Sequence, residues 1–160
     1  MRKFILFIAL FLSTLSSADF FDKGKSSVGI VLGAGSSNSE SYTIVGVSGD
    51  YFILDGLSIG AGYRGWFGID PTLNQLTFTS NYYIPLTHKF RPYIGAFIRE
   101  TFVSDEDDYE SYGGRVGFSM SVSKNAYASF GWVAERFSNC DSDRYECTNS
   151  YPEVVFSLAF

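Results

Sequence analysis

From Ser27 to the carboxyl terminus the chain alternates apolar and small or polar residues with a period of two, the spacing of an extended strand with two unlike faces. The alternation is cleanest over about Tyr112 to Ser123, where Val116, Phe118, Met120 and Val122 interleave with Arg115, Gly117, Ser119, Ser121 and Ser123. The final stretch, YPEVVFSLAF, places Val154, Phe156, Leu158 and Phe160 on one face and Glu153, Val155, Ser157 and Ala159 on the other. Six more such segments fall at about Ser27 to Gly35, Tyr42 to Ile53, Leu57 to Phe67, Asn74 to Ile84, Arg91 to Val103 and Ala126 to Phe137. Turn chemistry separates them, most plainly the Asp55-Gly56 pair, which tolerates the positive φ of a tight hairpin. All four prolines, Pro71, Pro85, Pro92 and Pro152, are expected in loops or at strand ends, where a missing ladder donor is tolerated.

The pattern predicts eight strands, and the connections sort by parity. Those after the second, fourth and sixth strands (Leu54 to Gly56, the stretch around Thr87-His88-Lys89, and Lys124-Asn125) read as short. Those after the first, third, fifth and seventh (Ser36 to Ser41, Gly68 to Leu73, Ser104 to Ser111 and Ser138 to Ser150) read as longer. Short turns at one end and longer loops at the other are the arrangement of an outer-membrane barrel with both termini on the periplasmic side. The rival fold is a soluble, lipocalin-like barrel with the apolar face inward. Lysine placement favours the membrane: Lys23, Lys25, Lys89 and Lys124 lie in the amino-terminal segment or in turns, whereas a water-facing sheet carries lysines along its exposed strands. The predicted fold class is therefore all-β, an eight-stranded antiparallel up-and-down transmembrane β-barrel.

If the apolar face meets lipid, the polar face is enclosed. It carries a balanced set of charges, Arg64, Arg99 and Arg115 with Glu135, Glu153 and Asp50. Enclosed charges persist only when paired and hydrogen-bonded, so these residues should form interior ion pairs. An eight-stranded barrel is just wide enough to be filled by side chains, and the network should plug it. Aromatic girdles are expected at the two rims, from Tyr51, Tyr82, Tyr93, Tyr127 and Phe160 at one and Trp66, Phe67, Phe102, Phe137 and Tyr151 at the other. Glu100 and Arg136 fall on the lipid face by parity. Near a rim a basic residue there costs roughly 0 to 1 kcal/mol and an acid less, and a bulge in the fifth strand would turn Glu100 inward.

Met1, Arg2 and Lys3, the apolar run Phe4 to Leu12 and the small residues Ser16-Ser17-Ala18 lay out a secretory signal peptide over residues 1–18, too short in its apolar part to span a bilayer as a helix. Residues 19–160 then form one barrel domain, more acidic than the whole chain's formal charge of -5, which disfavours a nucleic-acid partner. Export also favours a disulfide between Cys140 and Cys147, worth about 2 to 3 kcal/mol on the chain-entropy model. No histidine stands beside these cysteines, which speaks against zinc.

The acidic run Asp105, Glu106, Asp107, Asp108 and Glu110 lacks the glycine of a calcium-binding loop and reads first as a solvated outer loop. Weak divalent binding that bridges lipopolysaccharide phosphate is the sharper alternative. The sole histidine, His88, maps to a turn at the end opposite the outer-loop candidates Ser138 and Asp141, so no catalytic residue, cofactor site or metal site is assigned.

The signal peptide, the eight amphipathic strands, the loop parity and the terminal SLAF together resemble the small eight-stranded outer-membrane barrels related to OmpX and the transmembrane domain of OmpA, over the whole mature chain. The resemblance implies that Phe156, Leu158 and Phe160, with Tyr151, serve as the carboxy-terminal signal read by the barrel-assembly machinery. It also implies a monomer in the outer membrane of a Gram-negative bacterium, in contact with lipid and lipopolysaccharide. The expected role is non-catalytic, in envelope integrity or surface interaction such as adhesion. A narrow small-solute channel of the OmpW kind is the alternative, and a lipid A-modifying enzyme ranks behind it.

Overall fold

A computed structural model describes residues 19–37, 40–68, 73–87, 89–104, 107–138 and 147–160. Eight strands, β1 (Ser26–Ser37), β2 (Glu40–Leu54), β3 (Leu57–Phe67), β4 (Leu73–Tyr83), β5 (Phe90–Val103), β6 (Tyr109–Ser123), β7 (Ala126–Phe137) and β8 (Thr148–Ala159), follow one another in an all-antiparallel closed barrel. Closure joins β8 back to β1 from Ser27↔Ala159 to Gly33↔Glu153. Beyond the last strand Phe160 donates to the Ser26 carbonyl at 2.9 Å and accepts from the Ser26 amide at 3.1 Å, so the terminal residue seals the seam. Closure of this kind leaves no sheet edge through the wall, which is what hydrocarbon demands of a β structure.

Which face points out is settled by exposure. Val116 and Leu158 are each 60% exposed, while Arg64, Arg99 and Glu153 are 4%, 2% and 2% exposed. The apolar half of the alternation forms the outside and the polar half lines the lumen, the inverse of a soluble barrel. Outward aromatics pack laterally: Phe118 stacks on Phe90 of β5 at 5.3 Å and on Phe130 of β7 at 5.4 Å, a ladder crossing three strands.

Several expectations need correction. Strand ladders run further than the alternation does, so only positions 38 and 39 separate β1 from β2, fewer than the 84 to 89 between β4 and β5. Loop length therefore sorts less cleanly by parity than expected. The reason is that backbone pairing continues past the apolar belt, where side chains no longer alternate. Glu110 accordingly lies inside β6, not in a loop, and faces Glu100 across the ladder. Pro152 is also inside a strand, β8, at the level where pairing to β1 stops after Gly33↔Glu153, so its missing amide leaves no β1 carbonyl unpaired in the paired stretch. β5 is free of bulges: its register runs unbroken against both neighbours, and Glu100 stays outward and exposed.

Trp66, Tyr93, Tyr127 and Tyr151 are 6%, 4%, 2% and 1% exposed, lining the lumen and not a rim girdle. Glycines make room for such rings: the Tyr93 hydroxyl occupies the space a Cβ at Gly131 would fill, and the Tyr42 hydroxyl does the same at Gly35. Tyr51, Tyr82, Phe67 and Phe102 do face outward.

Candidate functional site: the filled lumen

The inner face of β2 reads as a section through the lumen, passing Tyr42, Ile44, Gly46, Ser48, Asp50 and Phe52 from the loop end to the end that carries the termini. Tyr42 and Ile44 belong to an apolar layer with Trp66, Phe97, Val133 and Tyr151. Gly46 backs onto Arg64, its register partner on β3. Ser48 and Asp50 border a small cavity of about 30 Å³. Phe52 enters a second apolar layer at the termini end, with Phe20, Phe21, Tyr83, Tyr93 and Tyr127.

Between the apolar layers lie the interior charges. Glu153 on β8 spans the lumen, taking Arg64 Nη1 on Oε2 at 2.9 Å and Arg115 Nη1 on Oε1 at 3.0 Å. Glu135 on β7 takes Arg99 Nη1 on Oε2 at 2.6 Å and the Ser111 hydroxyl on Oε1. Tyr151 joins the two groups: its hydroxyl accepts from Arg99 Nη1 at 2.9 Å and from Arg64 Nη1 at 3.4 Å, and approaches Glu135 Oε2 at 3.5 Å. Arg99 Nε donates to Thr77 at 3.0 Å, and the Arg99 and Arg115 guanidiniums lie 4.5 Å and 5.5 Å from the Phe97 ring centroid. Above the ion pairs, Trp66 Nε1 donates to Gln75 at 2.7 Å and Gln75 Nε2 to Thr101 at 3.1 Å. Three arginines and two glutamates from five strands are thus held in one connected network, whose charges nearly cancel.

The structure brings Arg64, Arg99, Arg115, Glu135 and Glu153 together. Asp50 stands apart from those pairs, on the cavity that Arg115 also borders. A cavity of this size holds one or two waters, not a solute. Phe156, Leu158 and Phe160 form an exposed outward row, while Tyr151 lies on the opposite face of β8, in the lumen, and so cannot belong to that row. Asp107, Asp108 and Glu110 are exposed at the loop end, and the Val103 amide donates to Asp108 at 3.1 Å. Asp105, Glu106, His88, Cys140 and residues 1–18 lie outside the described residues, and Cys147 lies just ahead of β8.

Two features were not anticipated from the sequence. One is the joining role of Tyr151, whose odd position in the alternation was the available signal. The other is the segment Asp19 to Lys25, which turns into the barrel mouth; its only advance sign was the Phe20-Phe21 pair between two aspartates.

Likeness to solved structures gives the fold a context. The chain superposes on the amino-terminal β-barrel domain of Pseudomonas aeruginosa OprF with a TM-score of 0.68 at 15% identity, covering 86% of this chain and 98% of that one. Neisserial surface protein A, NspA, gives 0.65 at 15% identity, with 85% and 96% covered. Ail, the attachment invasion locus protein of Yersinia pestis, gives 0.51 at 10% identity, with 86% and 99% covered. No protein-family model matches the chain, and no curated protein matches it by sequence. The fold is that of the small eight-stranded outer-membrane barrels.

Proposed function

We propose that the protein is a non-catalytic outer-membrane barrel of a Gram-negative envelope, closed to solutes, that serves envelope integrity or surface interaction. The observation that carries this reading is the connected Arg64–Glu153–Arg115 and Arg99–Glu135–Tyr151 network, lying between two apolar layers where a channel would need water. In this reading the termini are periplasmic and the acidic loop residues face outward, near lipopolysaccharide. The outward row Phe156, Leu158 and Phe160 is then read by the barrel-assembly machinery, and the chain works as a monomer. Adhesion draws support from the fold shared with an attachment protein such as Ail, which is an analogy of architecture.

Planar-bilayer recording of the folded protein tests closure. The expected result is an absence of steady, resolved openings, and regular openings would replace this reading with the narrow channel. That second reading has one observation in its favour, the polar cavity beside Asp50 and Arg115. Comparison of lipid A mass profiles with and without expression checks the non-catalytic assignment, which a changed acyl pattern would overturn.

A further inference from the structure

The segment from Asp19 to Lys25 precedes the first strand and is nonetheless anchored to the barrel by ring contacts, an ion pair and hydrogen bonds. Phe21 is 2% exposed and packs edge-on to Phe52 of β2 at 5.6 Å and tilted against Tyr83 of β4 at 4.6 Å and Tyr127 of β7 at 5.2 Å. Phe20 lies 6.0 Å from the same Tyr127 ring. The Arg91 guanidinium of β5 covers the Phe21 ring at 4.6 Å and pairs with the Asp19 carboxylate. Backbone bonds add to this: the Gly56 amide donates to the Phe21 carbonyl at 2.7 Å, the Gly24 amide to the Phe52 carbonyl at 2.8 Å, and the Lys23 amide to the Asp55 carboxylate at 2.8 Å.

Beyond the aromatic layer on which this segment packs, the lumen turns polar. The cavity directly above holds Ser48, Asp50, Asn81 and Arg115, and four side-chain atoms in and below that layer have no protein hydrogen-bond partner: Asn81 Oδ1, Arg115 Nε, Arg115 Nη2 and Arg91 Nε. Ser58 Oγ, whose residue is the register partner of Phe52, is a fifth. A buried polar atom without a partner carries a desolvation cost that water would relieve. The aromatic contacts and the Asp19–Arg91 pair therefore hold the segment against a vestibule whose own groups favour hydration. No residue of the segment belongs to a strand, but the Gly24 amide and the Lys25 carbonyl bond both backbone groups of Phe52 and so continue the β1–β2 ladder; Asp19 to Lys23 is the part that can leave without breaking strand pairing.

We infer that Asp19 to Lys23 is a removable plug: its Phe20-Phe21 pair seals the termini-side mouth of the barrel, and its departure opens a water-filled, blind vestibule that ends at the Arg64–Glu153–Arg115 ion pairs. This rests on the closed-lumen reading only for where the vestibule ends, not for the plug itself. The device is local. Opening the mouth hydrates Asp50, Asn81 and Arg115, while Thr101 and Gln75, beyond the ion pairs, stay dry.

Two cysteine reporters in a Cys140→Ser/Cys147→Ser background test it, Ser48→Cys in the cavity and Thr101→Cys beyond the network, each reacted with a small charged thiol reagent in folded, detergent-solubilised protein. Heat-modifiable gel migration verifies folding of every variant. The plug is loosened in two independent ways, by Phe20→Ala/Phe21→Ala and by Asp19→Lys, which sets two cations against each other at Arg91. The expected result is labelling of Ser48→Cys faster by roughly tenfold or more in both plug variants, the change that a modest loss of contact energy produces, with Thr101→Cys still protected. Equal rates at Ser48→Cys with the plug intact and with it loosened overturn the inference. Fast labelling at both reporters in the plug variants supports the plug but refutes the closed-lumen reading, which separates the two failures.

Discussion

At the residue scale, the lumen shows how charge can be kept inside a lipid-bound wall. Arg64, Arg99 and Arg115 are each paired, and the one hydroxyl of Tyr151 ties the two ion-pair groups into a unit. Removing one member of a buried pair is expensive because it strands the other. Glu153→Gln leaves two guanidiniums facing a neutral amide and is expected to cost about 3 to 5 kcal/mol in reversible unfolding in detergent or vesicles. Tyr151→Phe removes a hydroxyl without removing charge or volume, and about 1 to 3 kcal/mol is expected. If Tyr151→Phe proves silent, the two groups are independent. Glu100→Gln, outward and exposed, is the control in the same titration and should change stability by less than either.

At the element scale, each strand has a lipid side and a lumen side, and the depth of a residue decides what a charge costs there. Val116 is outward on β6, 60% exposed and several residues from either end of its strand, whereas Arg136 is outward one residue from the end of β7. Val116→Arg is expected to lose about 2 to 4 kcal/mol and Arg136→Gln at most about 1 kcal/mol in vesicle unfolding, following the depth profile of lipid-facing charges. Equal costs at the two sites would contradict this assignment of depth. The same logic explains what the sequence revealed. Period-two alternation identified all eight strands and sorted Arg64, Arg99, Arg115, Glu135 and Glu153 to one side, because between lipid and lumen each face has one solvent. It misplaced the start of β6 and the surroundings of Pro152, where both faces leave the apolar belt and backbone pairing alone continues. Nearness to strand ends suggested rim positions for Trp66, Tyr93, Tyr127 and Tyr151, but an aromatic there suits either side and parity puts all four in the lumen, with Gly131 leaving room for the Tyr93 hydroxyl.

At the scale of the whole molecule, the barrel is closed differently at its two ends. The termini end is sealed without covalent help, by Phe160 bonded to Ser26 across the seam and by the Phe20-Phe21 plug seated on Arg91, Tyr83 and Tyr127. The loop end has no such lid among the described residues, and its strands β1 and β8 part company above Gly33 and Glu153. A constraint on the β7–β8 connection is most useful there, because the β8 backbone above Glu153 is paired on the β7 side alone, with the Phe137 amide donating to the Cys147 carbonyl at 3.0 Å to extend that ladder. A Cys140–Cys147 bridge would supply it. Maleimide alkylation of denatured protein is then expected to add nothing before reduction and two adducts after it. Cys140→Ser/Cys147→Ser should lower stability by about 2 to 3 kcal/mol, as closing a short loop implies, while leaving the plug-protected Ser48→Cys reporter as slow to react as in the bridged protein. A thiol that reacts before reduction would mean the connection is held by the ladder alone, and the seam above Glu153 would then be the first part of the wall to open.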